Sequence, residues 1–590
     1  MFNHSSNQKT LTRITVPYSV TIDAVTSVTV KRLRIRQPKF IFMKHKNTFR
    51  IFSLIFLMVI PQILIIAQSR EAAIDKLIGD IYKPGEPGTA LLVAEKGKVV
   101  YRKAFGMADL ELSVPMKPEM VFEIGSMTKQ MTAVAILMLM EEGKLSLKDE
   151  ITKFIPDYPV QGQKITIHHL LTHTSGIKSY TSMQEWQPLW RNDLTPEEMI
   201  DIFKNQPMDF APGEHYLYNN SAYFLLGYII EKASGLNYGQ FLKERIFEPL
   251  KMNHSYYGSH EQIIPLRASG YQKKESFVNA EYLSLTQPYA AGSVMSTVDD
   301  LLSWQMAIRD NKLVKKESIQ LAFTDFTLND GKPIHYGYGW VLNEINGSPT
   351  IEHSGGIFGF TSNGIWLPQE DVYVVMLTNR DDIGPGDVST RVAALAINKP
   401  YPLAESSVKL NEAVLRSLEG VFEFEDGAVR KFFVEDGKLM SQKQGSAKFR
   451  LIPLSENLFA YENSFSTVEF STTAGKRKAV FKNRIDAFTG ELTDRKIAEN
   501  TEISLSPEQM KPFVGVYEVQ PGFSLTFTLE DGHLMTQATG QEKFEVFPSA
   551  ENTFFLKVVD ARIEFQRNSE GVVDALMLYQ GGAEIKAIRK

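Results

Sequence analysis

Three short stretches of this 590-residue chain bring together residue types that can transfer an acyl group. The first is EIGSMTKQMTA (123–133), which contains Ser126-Met127-Thr128-Lys129. The S-x-x-K spacing alone says little, because it also occurs at Ser6, Ser175 and Ser406. Only the copy at Ser126 has a glycine just before it and a long apolar run starting there. In a helix, the residue three positions on lies one turn away on the same face, so Lys129 Nζ approaches Ser126 Oγ. Free N–H groups and the dipole at the helix start favour negative charge on the serine oxygen. Burial pushes the lysine toward the neutral amine that a general base requires. The plainer reading of the same residues is a serine N-cap with an exposed lysine.

The second stretch is PGEHYLYNNSAYFLLG (212–227), where Tyr218-Asn219-Asn220 precedes an apolar run. A phenol beside a lysine cation has a lowered pKa and can pass a proton to a leaving group. Asn220 can donate an amide N–H to a substrate carbonyl or contact the lysine. A capping asparagine and a packing tyrosine account for the same residues. The third stretch, PTIEHSGGIFGFTSNGIWLP (349–368), leads into His353-Ser354-Gly355-Gly356. Glycines there let a substrate backbone lie along an edge strand. The backbone N–H of Gly356 can pair with that of Ser126 as an oxyanion hole, with His353 supplying a donor or a positive charge facing the site. A histidine before two glycines is equally an ordinary turn.

In order, the stretches spell S-x-x-K, Y-x-N and H-x-G, 92 and then 135 residues apart. This set resembles the serine β-lactamase and penicillin-binding protein superfamily, in the branch of class C β-lactamases, serine D-alanyl-D-alanine carboxypeptidases, D-aminopeptidases and related esterases. LLTHTSGI (170–177), PG-x-x-Y-x-Y-N-N (212–220), AAGSVMSTVDDL (290–301) and YGYGW (336–340) are similar to family segments too, so the resemblance covers roughly residues 75–395. It implies an α+β, β-lactamase/transpeptidase-like domain, with an antiparallel sheet flanked by helices plus a mostly helical subdomain. It implies Ser126 as the acylated nucleophile, Lys129 as its base partner and Tyr218 as the second acid/base. Asn220 then contacts substrate and lysine, His353, Ser354 and Gly355 mark the substrate-binding strand, and the N–H groups of Ser126 and Gly356 form the oxyanion hole. Class C β-lactamases have lysine where His353 stands. A neutral imidazole holds a carboxylate less firmly than an ammonium, so H-x-G points toward the peptidase and esterase branches.

The elements that must position these groups fall in residues 70–400. GTALLVAEKGKVVYRKAFGMAD (88–109) alternates like a hairpin turning at Lys96-Gly97. MTKQMTAVAILMLMEEGKL (127–145) is too densely apolar for a surface strand and reads as a mostly buried helix. SAYFLLGYIIEKASG (221–235) reads the same way, closing at Gly235, and VYVVMLTN (372–379) is a buried strand. Helices between strands that open and close the segment give a sheet with helices packed on it. Beyond residue 400, short alternating runs repeat at a constant offset of 95 residues. Gly420-Val421-Phe422 matches Gly515-Val516-Tyr517, and Val468-Glu469-Phe470 matches Ile563-Glu564-Phe565. We read a duplicated all-β, barrel-like region, with modules at 401–500 and 501–590. The second has about eight strand candidates, enough to close a small barrel. Such a barrel can hold a ligand, but a filled barrel fits better, because neither copy gathers catalytic residue types.

Charge and composition bound the rest. Residues 1–50 hold ten Lys and Arg against one acid, Asp23, so the remaining chain carries about −14. An acidic body argues against nucleic acid as a partner. Met43 opens a basic segment followed by the apolar IFSLIFLMVIPQILIIA (51–67), a signal-peptide pattern. Pro61 and Gln62 interrupt it as a membrane span. Residues 43–69 are therefore read as a signal peptide cleaved near Ala67–Ser69, with an uncleaved anchor as the alternative and the protein's one membrane contact. Residues 1–42 are read as an extension ahead of the native start. The expected location is periplasmic or secreted. The chain has no cysteine, which excludes disulfides, thiolate metal sites and a cysteine nucleophile. His168, His169 and His173, like His254 and His260, lack H-E-x-x-H spacing and are read as structural, so no metal or cofactor is expected. Trp186 and Trp190, in a loop-like stretch, either floor a cleft or pack a lid. These readings converge on an exported serine hydrolase, a peptidase or carboxypeptidase acting on D-amino-acid-containing peptides, with cell-wall material as the expected source. The rivals are a small-ester hydrolase, a β-lactamase, and a non-catalytic ligand-binding or sensor protein on the same scaffold.

Overall fold

The computed structural model of the chain describes residues 70–590, apart from 403–406, 445, 447, 496–501, 521–522, 531, 539–542, 558–560 and 581–582. The readings of residues 1–42 and 43–69 lie outside the described residues. Lys96 and Gly97 both turn with positive φ, 51° and 75°, which suits a two-residue hairpin. They join β1 (Thr89–Glu95) to β2 (Lys98–Phe105). The remaining sheet strands come much later: β3 (Val341–Ile345), β4 (Ser348–Ile357), β5 (Phe360–Leu367) and β6 (Val372–Thr378). The antiparallel order is β3-β4-β5-β6-β1-β2.

Every residue of β6 is buried, because both faces of the sheet are covered; an uninterrupted apolar run is what such a strand requires. On one face, Leu91, Val93, Val374 and Met376 share a core with Ile74 and Ile78 of a helix over 70–81, and with Val388 and Val392. On the other, Ala90, Leu92, Val375 and Leu377 join the larger core. That core surrounds α1 (Thr128–Glu141), whose residues Thr128 through Leu139 are all buried. A helix buried all round belongs at a domain centre. It packs on α2 (Asn220–Ser234), which ends at Gly235 in the left-handed conformation. The outer helix that covers the sheet is α3 (Pro385–Ala396). This is the α+β architecture that the resemblance implies.

Two closed, eight-stranded barrels follow, running from Gly420–Phe424 to Ala487–Thr493 and from Gly515–Gln520 to Ala583–Arg589. The repeat holds in three dimensions. Phe470 N donates to Asn457 O at 2.8 Å, as Phe565 N does to Asn552 O at 2.8 Å. Short helices, Glu412–Ser417 and Pro507–Met510, precede the two barrels at matching positions. Both interiors are filled by an aromatic cluster. In the first, the Phe470 ring lies 4.9–5.9 Å from Phe422, Phe432 and Phe459. In the second, Phe565 lies 5.0–5.6 Å from Tyr517, Phe527 and Phe554. Truncating such a hub leaves a cavity that rigid neighbours cannot close. Phe470→Ala is expected to cost the first barrel about 3–5 kcal/mol, seen in calorimetry as an earlier transition for that barrel, with the second barrel's transition unmoved.

Candidate active site

The local fold starts with two glycines. A Cβ on Gly355 would sit 2.0 Å from the Ile124 carbonyl oxygen and 2.5 Å from Ser362 Oγ, so only glycine lets β4 lie against the chain entering the Ser126 turn. Gly125 has φ +51°, and a Cβ there would meet Gly356 N at 2.8 Å. Ser362 Oγ donates to Ile124 O at 2.8 Å and closes the seam. Ser126 rides on the resulting 3-10 turn, Gly125–Met127, which runs straight into α1. It makes no capping bond, and the N-cap position of α1 is Met127. The plain N-cap reading of Ser126 therefore does not describe it.

Lys129 is fully buried. Its Nζ lies 3.0 Å from Ser126 Oγ, 2.8 Å from Asn220 Oδ1 and 2.9 Å from Ala291 O. The last two are carbonyl oxygens and can only accept. A neutral amine has two N–H groups and one lone pair. With its protons on Asn220 and Ala291, the lone pair faces the Ser126 hydroxyl. Burial holds Lys129 well below the ordinary lysine value, which favours that neutral state. The Tyr218 ring covers the amine, with Nζ 4.7 Å from its centroid.

The paired asparagines divide two tasks. Asn219 caps α2, its Oδ1 accepting from Ala222 N at 2.9 Å. Asn220 turns to Lys129, while its Nδ2 donates to Thr181 Oγ1 at 3.2 Å and its backbone N to Ser179 Oγ at 3.2 Å. Tyr218 is 36% exposed as a residue, but its hydroxyl end is crowded by protein and contacts Ser126. Burial raises its pKa above the ordinary tyrosine value and outweighs the opposing Ser126 contact. The expectation of a phenol acidified by a lysine cation is thus reversed, because burial of the phenol outweighs what would lower its pKa.

His353 also departs from expectation. Its Nδ1 lies 2.6 Å from Ser354 O, so Nδ1 carries a proton and donates. Its Nε2 lies 2.9 Å from the Tyr336 hydroxyl and accepts from it. Both ring nitrogens are spent inside the protein, and burial pushes the pKa down to about 3. His353 therefore presents neither a spare donor nor a positive charge to the site. Ser354 and Gly356 are exposed on the strand, and Gly356 lines the cleft with Ser126 and Asn220. The cleft measures about 410 Å³ and is walled by Tyr180, Trp186 and Phe358. Trp186 lines it directly, and Trp190 packs edge-on between Trp186 and Phe358, at 5.9 and 5.0 Å.

Three contributors had no role assigned from sequence. They are the Ala291 carbonyl, Tyr336, and His173, whose Nδ1 accepts from Asn219 N at 3.0 Å while its ring stacks 4.4 Å from Tyr218. All three fall in the family-like stretches around 170–177, 290–301 and 336–340. The other histidines bond within the fold: His168 Nδ1 to the Tyr338 hydroxyl at 2.9 Å, and His260 Nε2 to Leu283 O at 3.0 Å.

A family model described as Beta-lactamase matches residues 71–399, and one described as a domain of unknown function, DUF3471, matches residues 499–587. The chain is similar to Penicillin-binding protein 4* of Bacillus subtilis strain 168, 29% identical over 407 residues, covering 65% of this chain and 89% of that one. It is similar to Protein flp of Staphylococcus aureus strain N315, 30% identical over 315 residues, covering 52% of this chain and 62% of that one. It thus spans about three-fifths of that relative's length. The D-amino acid amidase of Ochrobactrum anthropi SV3 shares the fold, with a TM-score of 0.50 at 24% identity, covering 56% of this chain and 99% of that one.

The glycine seam can be checked directly. Gly355→Ala forces β4 away from Ile124 and is expected to lower the unfolding temperature and displace Ser126. Gly356→Ala, whose Cβ would meet nothing within 4 Å, is expected to unfold at the wild-type temperature. Equal stability of the two variants would refute the seam.

Proposed function

The chain belongs to the Beta-lactamase family, and on that premise we propose that it is a serine hydrolase working through an acyl-enzyme on Ser126. The observation that carries this reading is the arrangement at Lys129 Nζ, with two carbonyl acceptors and one serine hydroxyl. A pure binding protein has no use for a fully buried amine aimed at a serine.

Ser126 Oγ bonds to the carbonyl carbon of an amide or ester while its proton passes to Lys129 Nζ. The carbonyl electron pair moves to oxygen, toward the backbone N–H groups of Ser126 and Gly356. Collapse breaks the bond to the leaving amine or alcohol. Tyr218, held as a neutral phenol, gives that group its proton and recovers one from Lys129. Water then repeats the attack on the acyl-enzyme and releases Ser126 with its proton restored. Asn220 holds the lysine and can donate to the substrate carbonyl. His353 acts as a positioning residue on the substrate strand instead of a charged anchor.

For substrate, we take a D-amino-acid-containing peptide or amide, in keeping with similarity to a protein named for penicillin binding. Among the described residues, no lysine or arginine lines the cleft, and Asp381 does. A substrate's free carboxylate meets no cation there, whereas a free ammonium meets an acid. This favours cleavage next to an unblocked D-aminoacyl end over removal of a carboxyl-terminal residue. The same lack of a cation supports the second reading, a small neutral ester, and places a β-lactam third. Export rests on the pattern at residues 43–69 and fits a cell-wall-derived substrate; among the described residues no helix is long and apolar enough to cross a membrane.

D-alanine p-nitroanilide is expected to be hydrolysed faster than acetyl-D-Ala-D-Ala by the purified protein. Ser126→Ala is expected to lose roughly 10⁴-fold or more in kcat with an unchanged unfolding temperature. Near-wild-type turnover by Ser126→Ala would sink the mechanism, and faster release of the carboxyl-terminal D-alanine would sink the substrate ranking.

A further inference from the structure

The first barrel meets the hydrolase domain at Phe465, which packs on its outer core, and at the turn that joins the barrel's last two strands, residues 483–486. Arg484 satisfies both backbone groups of Glu344 on the edge strand β3: Arg484 O accepts from Glu344 N at 3.1 Å, and Arg484 Nε donates to Glu344 O at 2.8 Å. Its other guanidinium arm reaches Glu352 Oε2 at 2.9 Å. Glu352 is only 8% exposed. Two residues on, Asp486 Oδ1 lies 3.1 Å from His335 Nε2, and Asp325 holds the other ring nitrogen of His335 at 3.1 Å. Asn483 Oδ1 accepts from the backbone N of Ile485 and of Asp486, at 2.7 and 2.6 Å, which makes the turn itself stiff.

The two gripped residues are each one position before a site residue. Glu352 precedes His353, and His335 precedes Tyr336. Tyr336 and His353 are the pair joined at 2.9 Å beside the Tyr218 ring. We propose that the first barrel is a positioning part of the active site: its 483–486 turn sets the Tyr336–His353 pair by holding the residue ahead of each. Neither His353 ring nitrogen has a tie to the Ser126 turn, so the pair's place depends on how β4 and the 335–336 segment are held. Without Arg484, the Glu352 carboxylate keeps only neutral donors, Asn343 Nδ2 at 3.0 Å and Thr350 Oγ1 at 3.2 Å. A nearly buried charge stripped of its partner moves toward water, and on a strand His353 moves with it. The duplicated module sharpens the point. Where the first copy has Asn483-Arg484-Ile485-Asp486 between the paired Lys482 and Ala487, the second has only Gly581-Gly582 between the paired Gln580 and Ala583, with neither an arginine nor an acid.

This inference rests on the serine-hydrolase reading for its effect on rate, so the test has two readouts. One is the rate at which a fluorophosphonate labels Ser126 in the full protein. The other is the ring ¹⁵N signal of His353, assigned by its loss in His353→Gln, which needs no turnover. Arg484→Ala and Asp486→Asn are each expected to shift the His353 signal and to slow labelling at least tenfold, with Arg484→Lys in between. Lys482→Ala, which breaks a more exposed pair with Glu344, is expected to leave both readouts at wild type. Should Arg484→Ala fail to fold, Asp486→Asn and Arg484→Lys decide. Folded variants with an unmoved His353 signal overturn the proposal, as does a moved signal with an unchanged labelling rate. If the wild type takes no label, the hydrolase reading fails and the His353 signal alone decides whether the turn holds the pair.

Discussion

The constraint on which the site depends is the removal of one lysine amine from water. A charged ammonium cannot be left unpaired in a core without a large cost, so it gives up its proton. Once neutral, Lys129 has two protons to place and one lone pair to aim, and each neighbour follows from that count. Asn220 and Ala291 supply the two acceptors, and the third direction is left for Ser126. The all-round burial of α1 from Thr128 to Leu139 is what takes the amine out of water, since a helix with a wet face would leave it hydrated and charged. Tyr218 lies over the amine and keeps its own proton for the same reason.

Holding two acceptors and one donating hydroxyl around one nitrogen requires segments far apart in sequence to meet within ångströms. The Ser126 turn, the start of α2 and the 289–291 turn converge on Lys129, while β4 closes from the other side. Gly355 and Gly125 permit that last approach, because the backbones pass where side chains would stand. His353 and Tyr336 then fill the wall beside Tyr218 as a neutral, internally bonded pair. The first barrel continues this logic outward, its Arg484 neutralising the carboxylate next to His353. The aromatic interiors of both barrels fit a supporting role better than a ligand-holding one.

Much of this was legible from residue types. The helices at 127–145 and 221–235, the Lys96-Gly97 turn and the buried strand at 372–379 follow from apolar spacing, because each element buries what its period predicts. The 95-residue repeat was legible because Gly420-Val421-Phe422 and Val468-Glu469-Phe470 recur as Gly515-Val516-Tyr517 and Ile563-Glu564-Phe565. Ser126, Lys129 and Asn220 were legible as candidates, and the structure brings them together. Other features carry no side-chain signal. The Ala291 carbonyl could belong to any residue, so only the fold reveals it. The state of His353 depends on Tyr336 and the Ser354 carbonyl, so sequence alone suggested a charge that burial removes. Tyr218 was read as acidified beside a cation, and the reversal follows from the burial of its own hydroxyl. Arg484 lies 132 residues from Glu352, and no local pattern connects them.

The most direct test of the central claim is the rate of Ser126 labelling by a fluorophosphonate as a function of pH. A general base works deprotonated, so the rate rises as pH climbs through its ionisation and then levels. With Lys129 held down by burial, the account predicts a single ascent centred well below the ordinary lysine value of about 10.4, a plateau before that value, and loss of labelling in Lys129→Ala. A rate that goes on climbing through pH 10, or that survives removal of the lysine, would contradict it.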